Sequence, residues 1–426
     1  MSITDSLYIG ISGLNAHGNA ISVVGDNIAN ASTIGFKRER ADFSDVLGGQ
    51  IGSQRLGGGV EVSQVQTLFD QGSIQQTGNP LDLAIQGGGF FQVTGQHDGQ
   101  TGNFYTRDGR FQLDNSGFAV DAQGLRLQGY AINATGQAST APGDLQLGAR
   151  QSPPQATASA SLSLHLDSDS TIKPAFDPAN PSATSNYSTQ ETVYDSLGTA
   201  HHAQVYMRSQ GGGNWEWHAI VDGGEIAGGT KGTPFEIGAG TLTFNTDGTL
   251  QAQATTAATA SFAGATPNQT IKYSFGDDIA SGGTGRIGTT SDAGDNAVNS
   301  VSVDGHAGGN LTDIEIASNG KVTGVFDNGQ RVDIAQVALA KFSNETGLRR
   351  SGDGLMSESA TSGVAIVDKA GQNGRGSINQ GALEGSNVDI SNELVTLIAY
   401  QRAFEANAKT VTTADEMMQD VSNLKR

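Results

Sequence analysis

SNVDISNELVTLIAYQRAFEANAKTVTTADEMMQDVSNLKR, Ser386 to Arg426, contains neither glycine nor proline, and its apolar residues recur on a helical period. Ile390, Leu397, Phe404, Val411 and Met418 hold one heptad position, Leu383 extends the series by one repeat, and Leu394, Tyr400, Ala408, Ala414 and Val421 lie beside it. A sustained seven-residue apolar repeat is the pattern of a coiled-coil seam. Ser386 with Asp389 offers a capping box at the start, and a helix of about 37 residues extends about 55 Å. The sequence predicts a rod.

The other end repeats the pattern more weakly. Leu7, Leu14, Ile21 and Ile28 recur every seven residues, with Ile3, Ile11 and Val24 filling the same face. Gly10, Gly13, Gly18 and Gly25 interrupt it, and together they cost about 3–4 kcal/mol of helix propensity relative to alanine. Nucleation is unfavourable as well, so this helix is expected only where a second helix buries its apolar face, each large residue returning about 1.5–3 kcal/mol. Its partner is the C-terminal rod or further copies of the chain, and apolar surface left over is expected to be covered by self-association.

Between the ends the chain reads as β. Turn signals stand at Asp108-Gly109, Asn115-Ser116-Gly117, Gln123-Gly124, Asp247-Gly248, Asn319-Gly320 and Asn328-Gly329, each flanked by strand-like runs. Trp215, Trp217, Ala219 and Val221 alternate with Glu216, His218 and Ile220, as in a strand buried on one side. The stretch from about Ala141 to Asn299 is rich in Ala, Ser, Thr, Pro and Gly and has loose borders, which marks an inserted domain. The expected architecture is mainly β with long terminal α-helices. Residues 1–30 and 381–426 form a coiled-coil-like helical domain, 31–72 and 357–380 connect, 73–146 with 300–356 form an inner antiparallel β domain, and 147–299 form an outer inserted one.

Composition narrows the function. At 426 residues the chain has room for two or three domains; apolar residues are 36 %, aromatics 6 %, and glycine numbers 60. A formal charge of −19 repels nucleic acid and anionic membranes. Cysteine is absent, which fits export without disulfides. MSITDSLYIGISGLNAHG carries no Lys or Arg ahead of its apolar part, so it does not read as a cleavable secretory signal, and a chain that leaves the cell would use a signal-independent route. No cofactor loop, HExxH or nucleophile elbow is found. His201, His202 and His218 are the best metal candidates, but adjacent strand residues face opposite sides. Asp167 with Asp169, and Asp277 with Asp278, lack the spaced further ligands of a calcium loop. No catalytic, cofactor or metal residue is assigned, and the chain is read as a non-enzyme.

NIANASTIGFKRERADF, Asn27 to Phe43, joins the first helix to the β region. Asn27, Asn30 and Thr33 suit a frayed helix end, with the asparagines tolerating left-handed backbone, and Gly35 permits a sharp turn. Phe36 anchors the redirected chain, while Lys37, Arg38 and Arg40 set cations near the negative end of the helix dipole. These residues make an elbow.

With these residues in place the sequence resembles the bacterial flagellar rod and hook family. The likeness rests on Asn27, Ile28, Ala29, Asn30, Thr33, Gly35, Phe36 and Lys37, on TGNPLDLAIQGGGFFQV (Thr77 to Val93), on VALAKFSNETGLRRSGDGLM, and on the C-terminal run from Leu383 to Asp415. Its length and large insert favour the hook members; distal-rod and hook–filament junction members are the alternatives, and a stalked β-rich adhesin is a more remote one. The resemblance implies a subunit that polymerises into a hollow curved tube through its terminal helices and transmits torque as a universal joint. It also implies the elbow as the link to the outer layers. The partners it implies are further copies of the chain, the distal rod protein, the hook cap, the hook-associated junction protein and the flagellar export apparatus, with no nucleic acid and no membrane insertion.

Overall fold

A computed structural model describes residues 3–51, 54–133, 136–148, 151–256 and 259–424. Two helices dominate the ends, α1 (Ile3–Ala29) and α2 (Ile390–Leu424), and β-strands fill the rest. Met1, Ser2, Lys425 and Arg426, which the expected helical domain includes, lie outside the described residues. Among the described residues no helix is long and apolar enough to cross a membrane. The chain divides into two compact units: Met1–Ala149, Thr312–Val325 and Arg331–Arg426 form unit 1, and Arg150–Leu311 with Phe326–Gln330 forms unit 2.

In unit 1, α1 and α2 run antiparallel. A side chain added at Gly10 would meet Val411, one at Gly13 would meet Asn407, and Gly18 faces Phe404. The α1 residues buried most deeply against this seam are Gly10, Gly13, Ala16, Ala20, Val24 and Asn27, while Leu7, Leu14, Ile21 and Ile28 are only half-buried. The expected seam is thus displaced toward small residues, because missing Cβ atoms let the second helix approach closely. Glycines that weaken α1 as a lone helix are what its packing requires. Gly13→Val would drive a branched side chain into Asn407, whose side chain lies 2.6 Å from the added Cβ; overpacking of this kind costs about 1–3 kcal/mol. Hydrogen exchange in α1 should accelerate accordingly, and unchanged protection would refute the close-packed seam.

Leu383 departs from the sequence expectation. It lies in a short strand, Ala382–Glu384, paired with Ile74–Gln76, so the heptad match there is fortuitous. α2 starts seven residues later, where Asp389 caps it by accepting from the N–H groups of Ser391 (2.9 Å) and Asn392 (3.2 Å). Ser386 does not take the capping role. Its hydroxyl accepts from Val388 N–H instead.

Residues 31–72, expected to connect, contain a long antiparallel hairpin, β1 (Glu39–Ile51) and β2 (Gln54–Thr67). It packs beside α1: Val60 N–H donates to Ser12 Oγ (3.1 Å), and Gly59, at φ +113°, has no room for a Cβ against that hydroxyl. His17, Phe43 and Tyr400 form a triangle of rings 5.3–5.9 Å apart that ties α1, β1 and α2 together. The rest of unit 1 centres on the strand Arg331–Lys341, which pairs antiparallel with Arg126–Ala131, Phe90–His97, Lys321–Phe326 and Ile366–Lys369. Ser377–Gln380 pairs with Leu83–Gln86, so 357–380 also carries strands.

Unit 2 is a two-sheet sandwich. One sheet is an antiparallel meander of five strands, Tyr187–Tyr194, Ala200–Gly211, Asn214–Asp222, Pro234–Phe244 and Leu250–Thr256. Trp215, Trp217, Ala219 and Val221 point into the shared core, and Ile220 is buried too. The second sheet corrects the purely antiparallel expectation. Its central strand Ser159–Asp167 pairs parallel with Lys272–Ser274 and Thr290–Asp292, and antiparallel with Ala297–Val303. Parallel pairs need long crossovers, and the whole meander lies in the excursion between strand Ser159–Asp167 and its parallel partners.

Candidate functional site: the helix-end elbow

α1 ends in a set of local hydrogen bonds. Asn30 N–H reaches Asp26 O (3.0 Å), Thr33 N–H reaches Asn30 O (3.1 Å), and Thr33 Oγ1 bonds Asn30 Oδ1 (3.1 Å). Neither Asn27 nor Asn30 adopts a left-handed backbone; that conformation falls to Gly35, at φ +71°. Its N–H donates to Glu384 O (2.8 Å), and a Cβ there would strike Asp108 N at 2.6 Å. Phe36 is buried beyond the turn, with the Arg350 guanidinium 5.1 Å from its ring centroid.

Asn27 is fully buried and holds the two helices to β1. Its Oδ1 accepts from Glu39 N–H (2.8 Å), and its Nδ2 donates to Glu39 O (2.8 Å) and Glu393 Oε2 (3.2 Å). Asn27→Ala strands a buried N–H and C=O, a loss of about 2–3 kcal/mol. The Glu39 amide should then exchange with solvent about 10- to 100-fold faster, and exchange at the wild-type rate would refute the bridging role.

The cations do not serve the helix dipole as the sequence suggested. Lys37 turns inward, and its Nζ donates to Glu384 Oε1 (2.7 Å) and Asp70 O (2.7 Å). Glu384 Oε1 also accepts from Gln71 Nε2 (2.7 Å) and Gly72 N–H (2.9 Å), while Oε2 pairs with Arg107 Nη1 (3.0 Å). Arg107 in turn reaches Gly87 O (2.9 Å) and lies over the Phe90 ring. Lys37, Glu384 and Arg107 are all buried. Burial pulls the Lys37 ammonium below its usual pKa, against the attraction of Glu384. Asn387 completes the knot by accepting from Arg38 N–H (2.7 Å) and donating to Leu68 O (2.9 Å). Arg38 and Arg40 stay near the surface, beside Asp70 and Asp42.

One carboxylate therefore binds the outgoing chain, the returning chain and the β part of unit 1. Sequence reasoning named Lys37 but missed Glu384, a lone acid in the run GALEG, and Arg107, one of three charged residues in the turn TRDGR.

Of the assembly residues, Val411 faces α1, Phe404 touches α1 at Gly18 but is itself exposed, and Leu397 is half-buried. Ile390 and Met418 are exposed, as are Leu394, Val395, Ile398, Met417 and Val421. In unit 2, His201 is buried between Glu225 (2.7 Å) and Asp195 (3.3 Å), whereas His202 faces out. Among the described residues no group of three or more His, Asp or Glu side chains is arranged to hold a metal ion.

Paired terminal helices are thus tied through a buried ionic knot to the β part of unit 1, and the sequence similarities place the chain among structural proteins of the flagellum. Residues 7–37 match the family described as Flagella basal body rod protein, and 379–424 match Flagellar basal body rod FlgEFG protein C-terminal. Residues 84–158 match Flagellar hook protein FlgE/F/G D1 domain, and 165–306 match Flagellar basal body protein FlaE D2 domain. The flagellar hook protein FlgE of Escherichia coli is 34% identical over 97% of this chain and 98% of its own length. That of Salmonella typhimurium is 32% identical over 97% and 98%, and that of Treponema pallidum is 32% identical over 99% of each. The chain belongs to the flagellar hook protein FlgE family.

Proposed function

We propose that this chain is the structural subunit of a bacterial flagellar hook, polymerising outside the cell into a hollow curved tube that carries torque from the rod to the filament as a universal joint. The observation that carries this reading is similarity to flagellar hook proteins from one end of the chain to the other. The apolar residues α2 leaves bare, Ile390, Leu394, Val395 and Ile398 near its start and Met417, Met418 and Val421 near its end, are where neighbouring copies pack. In a water-exposed monomer such stripes are a liability; between copies they become an interface. The elbow holds the helices at a fixed attitude to the β part of unit 1. The distal rod protein, the hook cap, the hook-associated junction protein and the export apparatus are its further partners on this reading.

Complementation tests it. A host lacking its own hook gene, given this chain, should regain swimming and show curved hooks by electron microscopy. Straight rod extensions without hooks would move the assignment to the distal rod, and no flagellar structure at all would count against it.

A further inference from the structure

Unit 2 contains one acidic side chain that its fold treats as an apolar residue. Glu191, on the strand Tyr187–Tyr194, is 2 % exposed and faces the core with Val193. Its Oε1 accepts from Tyr273 Oη (2.6 Å), and Oε2 has no hydrogen-bond partner among the described residues. Tyr273 lies on Lys272–Ser274 in the second sheet, where it registers with Ala160. The bond thus crosses the sandwich from sheet to sheet, amid Trp217, Phe275 and Val205.

Among the described residues no cation balances this carboxyl. The residue opposite it on the neighbouring strand is Ala203. The nearest inward-facing titratable group on that strand is His201, already occupied by Glu225 and Asp195. His202, next along, lies on the outer face against Thr192. The strand Ala297–Val303 has no ionisable side chain, and Tyr273 is the facing group from Lys272–Ser274.

We infer that the Glu191–Tyr273 pair makes the two-sheet packing of unit 2 proton-sensitive: the sandwich is most stable while Glu191 is neutral and loses stability when it ionises, because the tyrosine bond offsets only part of the cost of the buried charge. Ionisation would leave a buried charge with one hydrogen bond and no counter-ion, whereas the neutral acid keeps the tyrosine bond without that penalty. Burial accordingly pushes the Glu191 carboxyl up from 4.5 to about 7, the Tyr273 bond acting against the shift. A carboxyl raised in the folded state binds more protons folded than unfolded between these values. The contribution of Glu191 to stability is therefore greatest below about pH 4.5, falls as pH rises toward 7, and levels off above it. This sensitivity depends on unit 2 alone and is independent of assembly.

The two tryptophans of the chain, Trp215 and Trp217, both lie in this core, so their fluorescence in full-length protein reports unfolding of unit 2. Between pH 5 and pH 8 the unfolding constant in urea should rise about 10- to 100-fold. His165, whose pKa is raised chiefly by its hydrogen bond to Asp292, contributes in the same sense. The comparison that decides is therefore with Glu191→Gln, which retains His165. E191Q should lose most of the pH dependence and be more stable than wild type at pH 8. Tyr273→Phe removes the bond that favours the carboxylate, so its midpoint should shift to higher pH. An E191Q protein with the wild-type pH slope would overturn the inference. Should E191Q not fold, an unshifted midpoint in Y273F would overturn it instead.

Discussion

Glu384→Ala should destabilise unit 1 by about 3–5 kcal/mol, because it leaves two buried cations, Lys37 and Arg107, without their shared counter-ion. Gly72 N–H and the Gln71 amide lose their acceptor at the same time. Helical circular dichroism through a urea titration should register the loss, and exchange should rise at residues 35–39, 68–72 and 382–388. Tryptophan fluorescence should not follow it, since both tryptophans lie in unit 2. Glu384→Gln keeps the shape and removes only the charge, so it should recover little. Replacing all three groups together by apolar residues of similar volume should cost far less than the single change, since desolvation of the ions then vanishes with their attraction. A single alanine variant losing under about 1 kcal/mol would show that water reaches the site, as it does exposed ion pairs.

The second large effect falls on assembly. Val395 and Ile398 are 68% and 49% exposed in the single chain, so Val395→Asp with Ile398→Asp should move its stability by no more than about 0.5 kcal/mol per site. If neighbouring copies bury these side chains, each contributes about 1.5–3 kcal/mol to the contact. Losing both should raise the concentration needed for polymer formation at least about 100-fold, and desolvating the new carboxylates adds to that. Sedimentation of the purified variant against wild type measures it. Tubes forming at the wild-type concentration would remove this face of α2 from the interface.

How much of this was readable in advance depended on range. A heptad free of glycine and proline made α2 plain from Ile390 onward, since propensity and period agree there. In α1 the period was visible but its facing was not: a search weighted to large apolar residues finds Leu7, Leu14, Ile21 and Ile28, whereas the helix is packed through Gly10, Gly13 and Ala20. The β1–β2 hairpin was hidden by its own glycines. Gly48 and Gly58 back onto each other across the two strands and Gly59 lies against Ser12, contacts that only the folded chain reveals.

Local turn chemistry succeeded at Asn115-Ser116-Gly117, Gln123-Gly124, Asp247-Gly248 and Asn328-Gly329, where adjacent strands do pair. It failed at Asp108-Gly109. There the flanking segments do not pair; Leu83 N–H takes Gly109 O (3.0 Å), and Arg107 is drawn into the ionic knot. Tertiary partners outweighed a strong dipeptide signal. The knot itself is the extreme case, with Lys37 and Glu384 separated by 347 positions. Nothing local to either residue names the other.

The central claim is that copies of this chain join through their terminal helices. Electron cryomicroscopy of purified full-length protein at rising concentration, beside protein lacking residues 390–426, tests it most directly. Full-length chains should form tubes with a central bore lined by α1 and α2, and the shortened chain should form none. Full-length protein that stays monomeric at millimolar concentration, or tubes from both proteins alike, would contradict the account.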